Sequence, residues 1–195
     1  MKKIFALLLI AITFSGCEKD DICTEETTPR LIVEFYDITN NANVKNVLDL
    51  KVKGEGAADY MVFNSALDVS DQSRYLFNGS KLELPLRTDG TTTKYTLILN
   101  STSTTLSNED ELTFNYSKEN VFVSRACGYK TIFKLNSPGG AVVTDAPTPD
   151  TFWILQDNIN VQTTNIETEN ENTYQNLLLV SAWYCFRLRA MHRMR

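Results

Sequence analysis

Histidine is almost missing from this chain: among 195 residues only His192 is one, and it lies close to the C-terminal end. A Ser-His or Cys-His catalytic pair in the body is thereby excluded, because such pairs need an imidazole as proton acceptor. Cysteine is scarce as well, with 4 in the chain, too few for a disulfide-dense scaffold. Two body thiols and one histidine also fall short of the four ligands of a structural zinc site. Positive charge is in deficit: 19 Lys and Arg stand against 24 Asp and Glu, for a net charge of −5. With no basic cluster in the body, the chain lacks the electrostatic footprint that nucleic acid requires. Long apolar runs are confined to one near the start and one in the tail, residues 177–186. There is no G-x-S-x-G, H-E-x-x-H, P-loop or dinucleotide fingerprint, so no motif-borne chemistry is expected. No catalytic residue, metal site or cofactor is assigned.

What is present begins with the leader. Lys2 and Lys3 precede an apolar stretch from Ile4 to Phe14. At about 11 residues it fits a signal-peptide core of ~7–15 and is too short to span a bilayer, which takes ~20. It ends in Ser15-Gly16-Cys17, which resembles the lipobox of bacterial lipoproteins, with Phe14 where that family most often has Leu. The resemblance implies acylation of Cys17 and cleavage just before it, leaving residues 1–16 as signal peptide. An ordinary secretory signal is the alternative, and it would still place the domain outside the cytoplasm. Glu18-Lys19-Asp20-Asp21 follows. Lys19, Asp20 and Asp21 resemble the export signal that sends lipoproteins of the Bacteroidetes group to the outer face of the outer membrane; a solvated spacer is the plainer reading. The expected location is the outer membrane, lipid-anchored, on its periplasmic or its surface side. The membrane, reached through the N-terminal lipid, is one expected partner, and an envelope protein or glycan the other.

From residue 30 to residue 172 the chain reads as short strands separated by turn signals every ~8–12 residues, the pattern of an all-β antiparallel sandwich, Ig-like or related. Residues 17–29 are the tether and 30–172 a single domain. In 30–37, Leu31, Val33 and Phe35 share a face and point inward; in 47–53, Leu48, Leu50 and Val52 point in and Asp49, Lys51 and Lys53 out. Shorter strands are expected over 59–64, 74–77 and 81–86, with Asn78-Gly79 as a hairpin turn. Strands over 94–100, 111–116, 120–125 and 128–135 follow, with Tyr129, Phe133 and Leu135 on one face of the last. Residues 136–150, holding Pro138, Pro147 and Pro149, read as a loop.

If Cys17 carries lipid, Cys23 and Cys127 remain in the body. An oxidising compartment permits a bridge between them; two buried thiols are the alternative. Three quoted stretches, CEKDDIC, TPRLIVEFYD and VSRACGYKTIFKL, resemble an uncharacterised family of Bacteroidetes lipoproteins of unknown function, over most of the mature chain to about residue 172. The resemblance implies that Cys23 and Cys127 pair. It carries no activity.

The tail departs from that family. After Glu169-Asn170-Glu171-Asn172, residues 173–195 contain Arg187, Arg189, Arg193 and Arg195 but no Lys, Asp or Glu. This atypical basic tail is read as a frameshifted end, a genuine final strand over 177–186, or a segment that contacts a partner or membrane.

Three functions compete. The first is a non-enzymatic binding or envelope-assembly module, the second a carboxylate-dependent hydrolase or carbohydrate-binding protein, the third a purely structural envelope lipoprotein. For the second, Glu109-Asp110-Glu111 supplies carboxylates, and Tyr60, Tyr75, Tyr95 and Trp153 could form a sugar-binding face. A solvated loop and aromatic core residues are the corresponding plain readings.

Overall fold

The computed structural model describes Cys23 and residues 28–145, 151–167 and 177–182. The leader, Cys17, Lys19, Asp20, Asp21 and the tail beyond residue 182 lie outside the described residues. Among the described residues twelve strands form two sheets. The smaller sheet contains β1 (Leu31–Asp37), β2 (Asn40–Val44), β5 (Lys81–Leu84), β10 (Asn160–Val161) and β12 (Leu177–Ala182). The larger contains β3 (Val47–Gly54), β4 (Phe77–Gly79), β6 (Thr92–Leu99), β7 (Asn108–Ser124), β8 (Gly128–Leu135), β9 (Ala141–Asp145) and β11 (Asn165–Ile166). Among the described residues every pairing is antiparallel except β1 with β12. The fold is the all-β sandwich that the alternating sequence anticipates.

One core lies between the sheets. Leu31, Val33, Phe35, Leu82 and Leu84 come from one side, and Leu50, Val52, Leu97, Leu112 and Phe114 from the other. These are the positions that period-two alternation assigns inward, because successive strand side chains alternate faces. Trp153, from the segment after β9, closes against Phe35 at 6.0 Å between ring centroids.

Several expected elements differ. Residues 59–64 form no strand, and residues 74–77 contribute a short 3-10 turn, Gln72–Tyr75, before β4. Asn78-Gly79 is not a hairpin turn: β4 pairs with β3, whereas β5 crosses to β1 in the opposite sheet. Neither residue has positive φ, the requirement of such a turn. Asn78 instead uses its Oδ1 to accept the Asp49 N–H at 2.9 Å. Asp49 is the residue that takes positive φ, at 47°, and the register of β3 shifts there. The shift buries Val47 and turns Leu48 outward, 52% exposed, opposite to strict alternation. The expected strands at 111–116 and 120–125 are halves of the single 17-residue β7, and β9 lies inside the expected loop 136–150.

Tyr95 illustrates how completely the core is closed. Its ring is buried and its hydroxyl donates to the Pro85 carbonyl. Burial, then the neighbouring Tyr116, pushes its phenol up to about 12 from 10.0. A folded-state value above the unfolded one contributes stability that is complete below the unfolded value and is lost as pH rises through the folded one. Folding stability is therefore expected to decline between pH 10 and about 12. Tyrosinate absorbance should show one phenol titrating late. Tyr95→Phe should remove that late component and flatten the alkaline loss; an unchanged titration curve in this variant would refute the assignment.

Candidate functional site

β7 has two different halves. Asp110 to Phe114 lie between β6 and β9 and alternate buried and half-buried. From Tyr116 onward, among the described residues, β7 pairs with β8, and Ser117, Lys118, Glu119 and Asn120 are all exposed. The strand keeps going because nothing in NYSKEN breaks it: no Gly or Pro interrupts the run. The result is a two-stranded arm running beyond the part of β7 held in the core.

The N-terminal segment is attached to this arm at two points. The Thr28 hydroxyl accepts the Thr131 N–H at 3.2 Å. Further out, Cys23 and Cys127 are bonded, with Cα atoms 4.9 Å apart. Gly128, with φ of 72°, supplies the left-handed conformation that turns the chain into β8, and the Ser124 hydroxyl accepts the Cys127 N–H at 3.1 Å. Phe122 and Tyr129 are cross-strand partners at the arm's outer end, edge to face at 5.4 Å. Contrary to the sequence expectation, Tyr129 does not join Phe133 and Leu135 in the core. It is 71% exposed and Phe122 56%, because the opposing sheet does not extend over this part of the ribbon.

At the base of the arm a shallow groove of about 280 Å³ lies between β7, β8 and β11. Ser117, Lys118, Glu119, Lys134, Asn165 and Glu167 give it a polar rim, with Ile132 and Phe133 beneath. Lys118 also donates to the Thr88 carbonyl. Sequence reading missed this recess because its residues come from three separate strands, each unremarkable alone. A run of four exposed positions in a strand pattern was the available signal.

The acidic triplet does not converge. Asp110 points into the core, fully buried, and its Oδ2 accepts the N–H groups of Trp153 at 3.0 Å and Ile154 at 2.7 Å. Glu111 points the other way and meets Lys94 at 3.3 Å. Lys94 also approaches Glu55 at 3.5 Å, and its ammonium titrates above its ordinary value, chiefly through the hydrogen bond to Glu111. Alternation along β7 thus turns Asp110 away from Glu109 and Glu111, which share the opposite face of the strand, and Glu111 is engaged by Lys94.

The four aromatics are divided too. Tyr95 and Trp153 are core residues. Tyr60 and Tyr75 are half-buried neighbours at 6.5 Å, and the Tyr60 ring lies under Lys51 at 5.1 Å and Lys53 at 5.7 Å. Among the described residues no group of three His, Cys, Asp or Glu side chains could hold a metal. No helix among them is long and apolar enough to cross a membrane.

Residues 49–178 match a family model described as a family of unknown function (DUF6452). The match includes Cys127, begins after Cys23, and runs two residues into β12. No curated protein and no solved structure matches the chain significantly.

Proposed function

The chain belongs to the DUF6452 family of unknown function, and we propose, on its leader and its disulfide, that it is a lipid-anchored cell-envelope protein. In this reading it is a non-enzymatic binding or envelope-assembly module held at the outer membrane through an acylated Cys17. The supporting observation is the junction of Cys23 with Cys127. It fastens the chain, six residues after Cys17, to one end of a rigid sandwich. Such a bridge belongs to an oxidising compartment, in keeping with an exported leader ending in TFSGC. Two acyl chains give stable anchoring where one is marginal.

The carboxylate-dependent alternative loses its best residues, since Asp110 is committed to two backbone N–H groups and Glu111 faces away from it. The polar groove at the base of the arm offers a recess to a glycan or a polar protein segment.

Intact mass of the protein extracted from its native membrane tests the reading. Cleavage before Cys17, added acyl mass, and a gain of two hydrogens on reduction are expected. A mass that begins at Met1, or one without lipid, overturns the anchor.

A further inference from the structure

We propose that the outer end of the β7–β8 arm docks on the lipid bilayer, with Phe122 and Tyr129 entering the headgroup layer, so that the sandwich stands end-on to the membrane. The inference rests on the acylation of Cys17 proposed above. Six residue steps separate Cys17 from Cys23, a reach of about 20 Å at full extension. Cys23 is bonded to Cys127, five residues from Phe122 in sequence and two from Tyr129. The arm's end is therefore confined near the acylated cysteine. The opposite end of β7 lies about 50 Å away at ~3.3 Å per residue, so the tether determines which end of the sandwich meets the membrane.

The chemistry of this end suits a bilayer surface. Its two largest side chains are aromatic and mostly exposed; the phenol of Tyr129, apolar with one polar edge, favours the membrane–water interface, and Phe122 adds apolar area beside it. Residues 121–130, VFVSRACGYK, carry Arg125 and Lys130 and no acidic residue, in a chain of net charge −5. The tether bonded there adds Glu18, Asp20, Asp21, Glu25 and Glu26 against Lys19, so the contact rests on the aromatic pair and the reach of the tether rather than on net charge. As a pair, Phe122 and Tyr129 also brace the ribbon across its two strands. Bracing leaves their outer faces in water, and docking would cover them.

The test uses the full-length lipidated protein in vesicles of phosphatidylethanolamine and phosphatidylglycerol carrying brominated acyl chains. Phe122→Trp and, separately, Tyr129→Trp place an indole at the arm's end. Leu106→Trp places one in the exposed turn before the far end of β7. Fluorescence is compared with the parent protein to subtract Trp153 and Trp183. Co-flotation with the vesicles and several-fold stronger bromine quenching at positions 122 and 129 than at 106 are expected. Co-flotation with equal quenching at all three positions overturns the docking alone and leaves the pair as a brace. Failure to co-float overturns the anchor, and the docking with it.

Discussion

Asp110→Ala is expected to destabilise the fold by about 3–5 kcal/mol, since each hydrogen bond to an ionisable group contributes ~1.5–3 and the released N–H groups stay buried. Asp110 accepts from both Trp153 and Ile154. It thereby attaches the segment after β9 to the middle of the larger sheet. Without the acceptor, two backbone donors lie in the core beside side chains that cannot pair with them. Trp153 would lose its position against Phe35, and its indole N–H its approach to the Leu97 carbonyl at 3.4 Å. A loss of this size is a large share of the ~5–15 kcal/mol that holds a typical domain folded. Asp110→Asn keeps an acceptor oxygen in the same shape and should cost markedly less. Urea denaturation of the two variants beside the parent measures both effects. If Asp110→Ala unfolds at the parent's midpoint, the carboxyl is not the anchor of this segment.

Reduction of the bridge, or Cys127→Ser, should have the next largest effect. The two cysteines are 104 residues apart, and closing a loop of that length restrains the unfolded chain by about 4–5 kcal/mol in the chain-entropy account. The denaturation midpoint should fall on adding reductant to the parent and stay put in Cys127→Ser. A midpoint indifferent to reductant in the parent would mean that the thiols are unpaired in solution. The same variant bears on orientation. With Cys127 gone, the nearest described attachment of the N-terminal segment is Thr28 on Thr131, eleven residue steps from Cys17 and a reach of about 35–40 Å. Vesicle co-flotation of Cys127→Ser should persist, because the acyl chains are untouched, while bromine quenching of an indole at position 122 should weaken.

Alternation made most of the core legible in advance. Leu31, Val33 and Phe35 in β1, Tyr95, Leu97 and Leu99 in β6, and Leu112, Phe114 and Tyr116 in β7 are buried as their spacing requires. The scheme failed where a distant partner overrode a local signal. Leu48 faces out because Asp49 takes positive φ next to Asn78, a residue of another strand. Asn78-Gly79 has the composition of a hairpin turn, yet its flanking strands belong to different sheets. Turn propensity fixes local dihedral preference and carries no information about which strand lies alongside. The 17-residue β7 was cut in two because no sequence rule distinguishes a pause in alternation from a break.

The tail shows a similar division. Leu177–Ala182 lies parallel to β1 and antiparallel to β10. Sheet pairing there covers one edge of β1, which would otherwise present unpaired N–H and C=O groups. The Arg-rich residues after it lie outside the described residues.

The sequence by itself determined the strand class, the inward faces and the shortage of histidine-based chemistry, because those follow from residue type and period-two spacing. It also supplied the motif on which the proposed anchor rests. Only the tertiary structure decided that Asp110 serves two backbone amides, that Lys94 engages Glu111, and that Phe122 and Tyr129 stand on an exposed arm bonded to Cys23. Those outcomes depend on which strands lie side by side and where one sheet stops covering the other. Spacing along the chain does not encode either one.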